Sequence, residues 1–241
     1  MSVLLENLGK RFGDGAPVLD GVNASIGAGE FVALLGASGC GKSTLLNIIA
    51  GLERPSSGAL EVPADGAAFM FQDAALYPWL TARGNVELAL KLRGVGKAER
   101  RARATELLDL VHLGEAADKR PHELSGGMRQ RVALARALSQ DREVLLMDEP
   151  FAALDAITRD LLHDELTRIW RETNRTIIFV THNVREAVRL GQRVLLLSSR
   201  PGRVVSEWAV PGAVKDDAAA AAALTADITA RLREEIRRHG K

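Results

Sequence analysis

The strongest constraint in this sequence is a glycine-rich stretch, Gly36-Ala37-Ser38-Gly39-Cys40-Gly41-Lys42-Ser43-Thr44. It stands directly after an apolar run at 31–35 and directly before Leu45, Leu46, Ile48 and Ile49. It matches G-x4-G-K-[ST] with both required flanks, a strand before and a helix after. Gly36, Gly39 and Gly41 let backbone N–H groups curl round an anion, and the new helix turns its positive end to the same point. Lys42 supplies a point charge for the β and γ phosphates of a nucleotide. The Ser43 hydroxyl is the expected Mg²⁺ ligand, with Thr44 beside it reaching phosphate. Cys40 fills a position the pattern leaves open and reads as a spacer, with a redox switch as the alternative.

The rest of the chain reads as an α/β protein built round that loop. Runs at 31–35, 144–147, 176–180 and 194–197 are continuously apolar, as expected of strands covered on both faces of a mostly parallel sheet. Short turn-bounded segments at 3–5, 25–26 and 60–62 suit a small antiparallel layer. Between Asp73 and Gln140 the period becomes helical, as in Leu107, Leu108, Val111 and then Val132, Leu134, Ala135, Leu138, which predicts a helical insert without strands. Residues 97–103 read as a solvated helix face. After Pro211, Leu224, Ile228, Leu232 and Ile236 recur at four-residue spacing, predicting an amphipathic terminal helix that packs on the core. A partner or membrane-surface contact is the alternative.

Length and composition narrow the function. At 241 residues, one large or composite domain is expected. Lys+Arg 32 against Asp+Glu 31 leaves a formal charge of +1, so no global basic field favours nucleic acid, and phosphate must be held locally. The single cysteine excludes an internal disulfide and a cysteine-based metal site, which fits a reducing compartment. Residues 1–6 are too short and too soon charged for a secretory segment, and no apolar stretch approaches spanning length; the chain is expected neither to cross a membrane nor to be exported.

A second chemical cluster lies downstream. Val144-Leu145-Leu146-Met147-Asp148-Glu149-Pro150 is an apolar strand running into two carboxylates, which are tolerated there only with a counter-charge. Asp148 is expected to hold the metal, usually through water, and Glu149 to act as general base or water-positioning residue. His182, just past the run at 176–180, is the candidate on the γ-phosphate side. Lys42, Asp148, Glu149 and His182 all fall at carboxyl ends of strands, where open parallel sheets bind ligands.

Leu124-Ser125-Gly126-Gly127-Met128-Arg129-Gln130-Arg131 opens a further helix with free N–H groups, a second anion site. With these motifs in order, the sequence resembles an ATP-binding cassette ATPase, the motor subunit of ABC transporters, over residues 1 to about 210. The resemblance implies a P-loop NTPase core, RecA-like, with helices on both faces of a mostly parallel sheet, plus a small antiparallel β layer and a helical subdomain. One cassette would span 1–212, with its core at 1–72 and 142–212 and the subdomain at 73–141. A helical tail would follow at 213–241. By position, Phe12 matches the aromatic that stacks on adenine, residues 36–44 the Walker A loop, and Asp148 and Glu149 Walker B. Gln72 matches the Q-loop glutamine, which contacts Mg²⁺ and the attacking water. Leu124 to Gln130 match the signature that binds the γ phosphate of the other subunit's ATP, so the resemblance implies a head-to-tail homodimer with Ser125, Gly126 and Gly127 closing over Lys42. Ala153-Leu154-Asp155 matches the D-loop and His182 the switch histidine. Departures are Ala153 where Ser is frequent, Asn183 where Asp is commoner, and Phe12 for Tyr; the ring is kept, and base stacking is worth about 1–3 kcal/mol.

Within the family, Tyr77-Pro78-Trp79-Leu80 and the stretch from Val194 to Val204 resemble the nitrate, sulfonate and taurine importers. That resemblance implies a separate, peripheral ATPase subunit on the cytoplasmic face of the inner membrane. Two copies would dock under integral membrane permease subunits, with a periplasmic or lipoprotein solute-binding protein choosing the solute. Tyr77 and Trp79 are candidates for the surface that receives a permease helix, or else form a small satellite core. With about 30 residues after Pro211, the extra C-terminal domain usual in sugar-importer ATPases is expected to be absent. Another solute or an exporter remains the alternative. A soluble cassette acting on DNA or ribosomes is disfavoured by the lack of a coiled-coil insertion or second cassette. A GTPase or small-molecule kinase gives the signature turn no role, and no N-K-x-D guanine reader occurs.

Overall fold

The structure, a computed structural model, describes residues 2–152 and 154–239, with His239 described by its backbone only. Ala153 of the D-loop match therefore lies outside the described residues. In chain order the first half runs β1 (Val3–Lys10), β2 (Leu19–Ile26), β3 (Phe31–Leu35), α1 (Lys42–Ile49), β4 (Ser57–Glu61) and β5 (Ala67–Met70). Three helices follow, α2 (Ala82–Leu92), α3 (Lys97–Leu110) and α4 (Gly126–Leu138). Then come β6 (Val144–Asp148), α5 (Ala156–Thr173), β7 (Thr176–Val180), α6 (Val184–Leu190), β8 (Arg193–Leu197), β9 (Val204–Ala209), α7 (Gly212–Asp216) and α8 (Ala218–His239).

The main sheet has the order β5-β6-β7-β3-β8-β9, parallel except for β9, which pairs antiparallel with β8. Side chains of β3 alternate between two cores, Phe31, Ala33 and Leu35 on one face and Val32 and Leu34 on the other. Both faces are therefore dry, and that is why these strands read as unbroken apolar runs. The second face packs against α1 and a three-stranded antiparallel sheet, β2-β1-β4.

Two strands were not apparent as apolar runs. The four-residue β5 alternates half-buried and buried positions, and β9 is an antiparallel edge that keeps Glu207 and Ala209 exposed. β1 also continues past its expected end to Lys10, because Asn7 takes a positive φ of 48° and shifts the register between Leu5 and Leu8.

The helical insert is α2, α3 and α4, with Thr81 accepting from the Gly84 N–H to cap α2. No strand occurs among its described residues, and most of 97–103 faces solvent. The terminal helix α8 packs on the core through Ile228, with Leu224 and Leu232 half-buried, while Ile236 stays exposed. No described helix is long and apolar enough to cross a membrane.

Candidate functional site: the carboxyl edge of the parallel sheet

Register brings the site together. Met70 pairs with Met147, Asp148 with Val180, and Leu34 with Val180, so β5, β6, β7 and β3 end side by side. Gln72, Asp148–Glu149, His182 and Gly36 thus follow four neighbouring strand ends, although they span 36 to 182 in sequence.

The loop 36–41 needs its glycines. Gly41 caps α1 with φ 107°, and a Cβ there would meet Leu19 Cδ2 at 2.7 Å and the Val18 carbonyl at 3.2 Å. A Cβ on Gly36 would meet Cys40 Sγ at 2.7 Å and the Leu197 carbonyl at 3.2 Å. No side chain caps α1, whose first internal bond is Leu45 N–H to the Gly41 carbonyl at 2.8 Å; the preceding N–H groups have no acceptor within the helix. Lys42 is buried and its Nζ donates to the carbonyls of Gly36 (2.8 Å) and Ala37 (2.9 Å). Cys40 is also buried; burial pushes its thiol pKa up against the pull of Lys42, which makes it a poor thiolate.

Asp148 is buried at the end of β6, close enough to Ser43 for the hydroxyl to help hold its carboxyl down. Burial raises its pKa and neighbouring Glu149 adds to this, while Ser43 and Lys42 oppose. A hard cation would relieve that penalty, and the Ser43–Asp148 oxygen pair suits Mg²⁺. Among the described residues no cluster of three or more His, Cys, Asp or Glu could hold a metal alone.

Glu149 adopts a left-handed φ of 45°, and its N–H is tied to the Val180 carbonyl at 3.1 Å. Non-glycine residues in that region cost about 1–3 kcal/mol and concentrate at functional sites. Its Oε2 accepts from Gln72 Nε2 at 3.3 Å and lies 3.4 Å from His182 Nδ1. Phe12 is half-exposed, with Lys10 Nζ 4.6 Å from its ring centroid.

Ser125 caps α4 by accepting from Met128 N–H at 3.2 Å. A Cβ on Gly127 would meet Thr158 Cγ2 at 3.0 Å and Leu154 Cδ2 at 3.3 Å, so a small residue lets α4 lie against the start of α5. Asp155 is exposed and caps α5, and the Thr158 N–H it accepts holds its carboxyl below the usual range. Among the described residues no hydrogen bond joins 125–127 to 36–44. Within one chain the two turns remain separate.

Sequence reasoning missed the clasp on the Gln72 segment. Gln130 Nε2 donates to the Gln72 carbonyl at 2.8 Å, and Arg136 donates to the carbonyls of Ala74 and Ala75, each at 2.8 Å. Gln130 sits on the buried face of α4 among Val132 and Leu134, a polar residue in an apolar stripe, which was the available signal. Nearby, the rings of Tyr77 and Trp79 pack at a tilt of 48° with centroids 5.4 Å apart, and both are exposed. Tyr77 borders a groove of about 590 Å³ lined in part by Phe71, Leu88 and Leu92.

The ABC transporter family model matches residues 19–152. The chain belongs to the ABC transporter family. The cassette is 49% identical over 203 residues to the taurine import ATP-binding protein TauB of Sinorhizobium fredii, covering 80% of this chain and 76% of that protein. It is 47% identical over 210 residues to an uncharacterized ABC transporter ATP-binding protein of Methanocaldococcus jannaschii, MJ0412, covering 83% and 79%. Among solved structures it resembles the ATP-binding cassette MJ0796 in a dimeric post-hydrolysis state bound to ADP and Pi, with a TM-score of 0.79 and 36% identity over 87% of this chain and 99% of that one. The CbiO1 cassette of Clostridium perfringens gives a TM-score of 0.79 at 28% identity, covering 89% of this chain and 90% of that one. The cassette is an α/β ATPase that binds ATP.

Proposed function

We propose that this cassette is the ATP-hydrolysing subunit of an importer for taurine or a related small anion, such as another aliphatic sulfonate or nitrate. The observation that carries the solute is its 49% identity to a taurine import ATP-binding protein. The chemistry is supported by the Glu149 carboxylate, which lies between Gln72 and His182.

In this reading the phosphates of ATP lie in the loop 36–44 and the base against Phe12, and Lys42 exchanges two loop carbonyls for β and γ oxygens. Ser43 and Asp148, with the Gln72 side chain beside them, would hold Mg²⁺, which when bound neutralises charge on the phosphate oxygens. Glu149 orients water and receives its proton as the water oxygen bonds to the γ phosphorus and the bond to the ADP oxygen breaks. His182 holds Glu149 in place and faces the γ phosphate. Two cassettes pair head to tail, so that Ser125, Gly126 and Gly127 of one cover the ATP of the other and Asp155 lies at the seam. The dimeric state of MJ0796 supports that pairing.

The groove beside Tyr77 and Trp79 receives a helix of an integral membrane permease, which holds the cassette at the cytoplasmic face of the inner membrane. A separate solute-binding protein selects the solute. The test is ATPase activity of the cassette reconstituted with its co-purifying membrane partner and binding protein, screened against taurine, alkanesulfonates, nitrate and aromatic sulfonates. Stimulation by one anion is expected. Flat activity across all of them, with the permease intact, would replace this reading with another solute or an exporter.

A further inference from the structure

The turn that carries His182 is held from behind by a buried chain of polar groups that the hydrolytic scheme does not use. Thr181 and Glu186 are both buried, and the Thr181 hydroxyl donates to Glu186 Oε2 at 2.6 Å. The same hydroxyl accepts the Asn183 N–H at 3.0 Å, and the Thr181 N–H is tied to the Leu34 carbonyl at 3.2 Å. His182 is therefore bracketed: the residue before it and the residue after it are joined through one oxygen. Donating to a carboxylate polarises that oxygen as an acceptor, so each bond strengthens the other.

The chain continues to a second loop. Arg159 Nε lies 3.4 Å from Glu186 Oε1, and Arg159 Nη2 donates to the Leu154 carbonyl at 2.8 Å, one residue before the exposed Asp155. Arg159 Nε is buried without a hydrogen-bond partner among the described residues, so Glu186 is the anion that meets it. His163 closes the far side, its Nε2 4.0 Å from Glu186 Oε1 and its ring edge-on to Phe151 at 4.5 Å.

We propose that Glu186 is a positioning residue for ATP hydrolysis: through Thr181 it fixes His182 against Glu149, and through Arg159 it ties that geometry to the Leu154–Asp155 segment. Movement of that segment then reaches His182 through a charged strut rather than through flexible backbone. The inference depends on ATP hydrolysis and is indifferent to the solute, so it survives failure of the taurine assignment.

The experiment measures steady-state ATP hydrolysis by the full-length chain carrying Glu186→Gln, Thr181→Val or Thr181→Ser, each also combined with His182→Ala. Losing a hydrogen bond to a charged group predicts that kcat falls about tenfold or more in Glu186→Gln and Thr181→Val, with the KM for ATP within about twofold. Thr181→Ser, which keeps the hydroxyl, recovers turnover. Because the strut acts through His182, adding Glu186→Gln to His182→Ala lowers kcat by less than about twofold. Should Thr181→Val fail to fold, the Glu186→Gln pair of measurements decides alone. Unchanged kcat in Glu186→Gln, or a loss that multiplies fully on top of His182→Ala, would overturn the proposal.

Discussion

His163 gives the fold a defined weakness towards acid. It is buried in α5, and among the described residues neither ring nitrogen has a hydrogen-bond partner. Burial lowers its pKa from 6.5 to about 4; Arg189 and Arg159 push the same way, while Asp160 and Asp164 oppose, and Glu186 lies 4.0 Å away. The folded protein thus prefers the neutral ring. Above pH 6.5 both folded and unfolded chains are neutral there and nothing is lost. As pH falls, the unfolded chain binds the proton first, which costs about 2 kcal/mol of stability by pH 5 and about 3 kcal/mol by pH 4. For 241 residues, 2 kcal/mol corresponds to about 4 °C in Tm. His163→Met removes the titration and fills the site. Wild type should therefore lose about 4 °C more than this variant between pH 7.5 and pH 5 in thermal melts. Parallel pH curves would refute the reasoning, and would mean that Asp160 and Glu186 accommodate the charged ring.

Glu149→Gln keeps the shape and removes the charge; ATP affinity should hold while turnover drops about a hundredfold or more, read by phosphate release, and unchanged turnover would remove Glu149 from its role. Lys42→Ala should weaken ATP binding at least about tenfold in a fluorescent-nucleotide titration, since the phosphate charges lose a charge-assisted partner. Retained tight binding would contradict that. Cys40 should react with N-ethylmaleimide at pH 7.5 at least about tenfold more slowly than free cysteine, and rapid stoichiometric labelling would restore the redox-switch alternative.

What the sequence disclosed depended on whether a residue's surroundings were local. β3, β6, β7 and β8 announce themselves because both of their faces are buried. The glycine loop is equally legible, since its backbone demands lie within a few residues. β5 is not, as four residues with one half-buried face carry too little pattern, yet this strand delivers Gln72. Gln130 and Glu186 were opaque for another reason. Gln130 meets Gln72 across 58 positions, and Glu186 gains meaning only when α5 brings Arg159 alongside. Gln130 shows only as a polar residue among the buried positions of α4, which does not name its partner, and the Glu186 contact leaves no period or composition bias.

The clasp on the Gln72 segment has a mechanical meaning. Gln130 and Arg136 grip consecutive parts of that backbone from points six residues apart on α4, a lever arm of about 9 Å. Two grips at different points resist torque, where a single one would act as a pivot. Arg136 also lines the groove beside Tyr77, so if a permease helix sits there, as proposed, α4 joins that docking surface to the Gln72 backbone. That backbone carries the glutamine whose side chain touches Glu149, so a single helix spans the distance from groove to site.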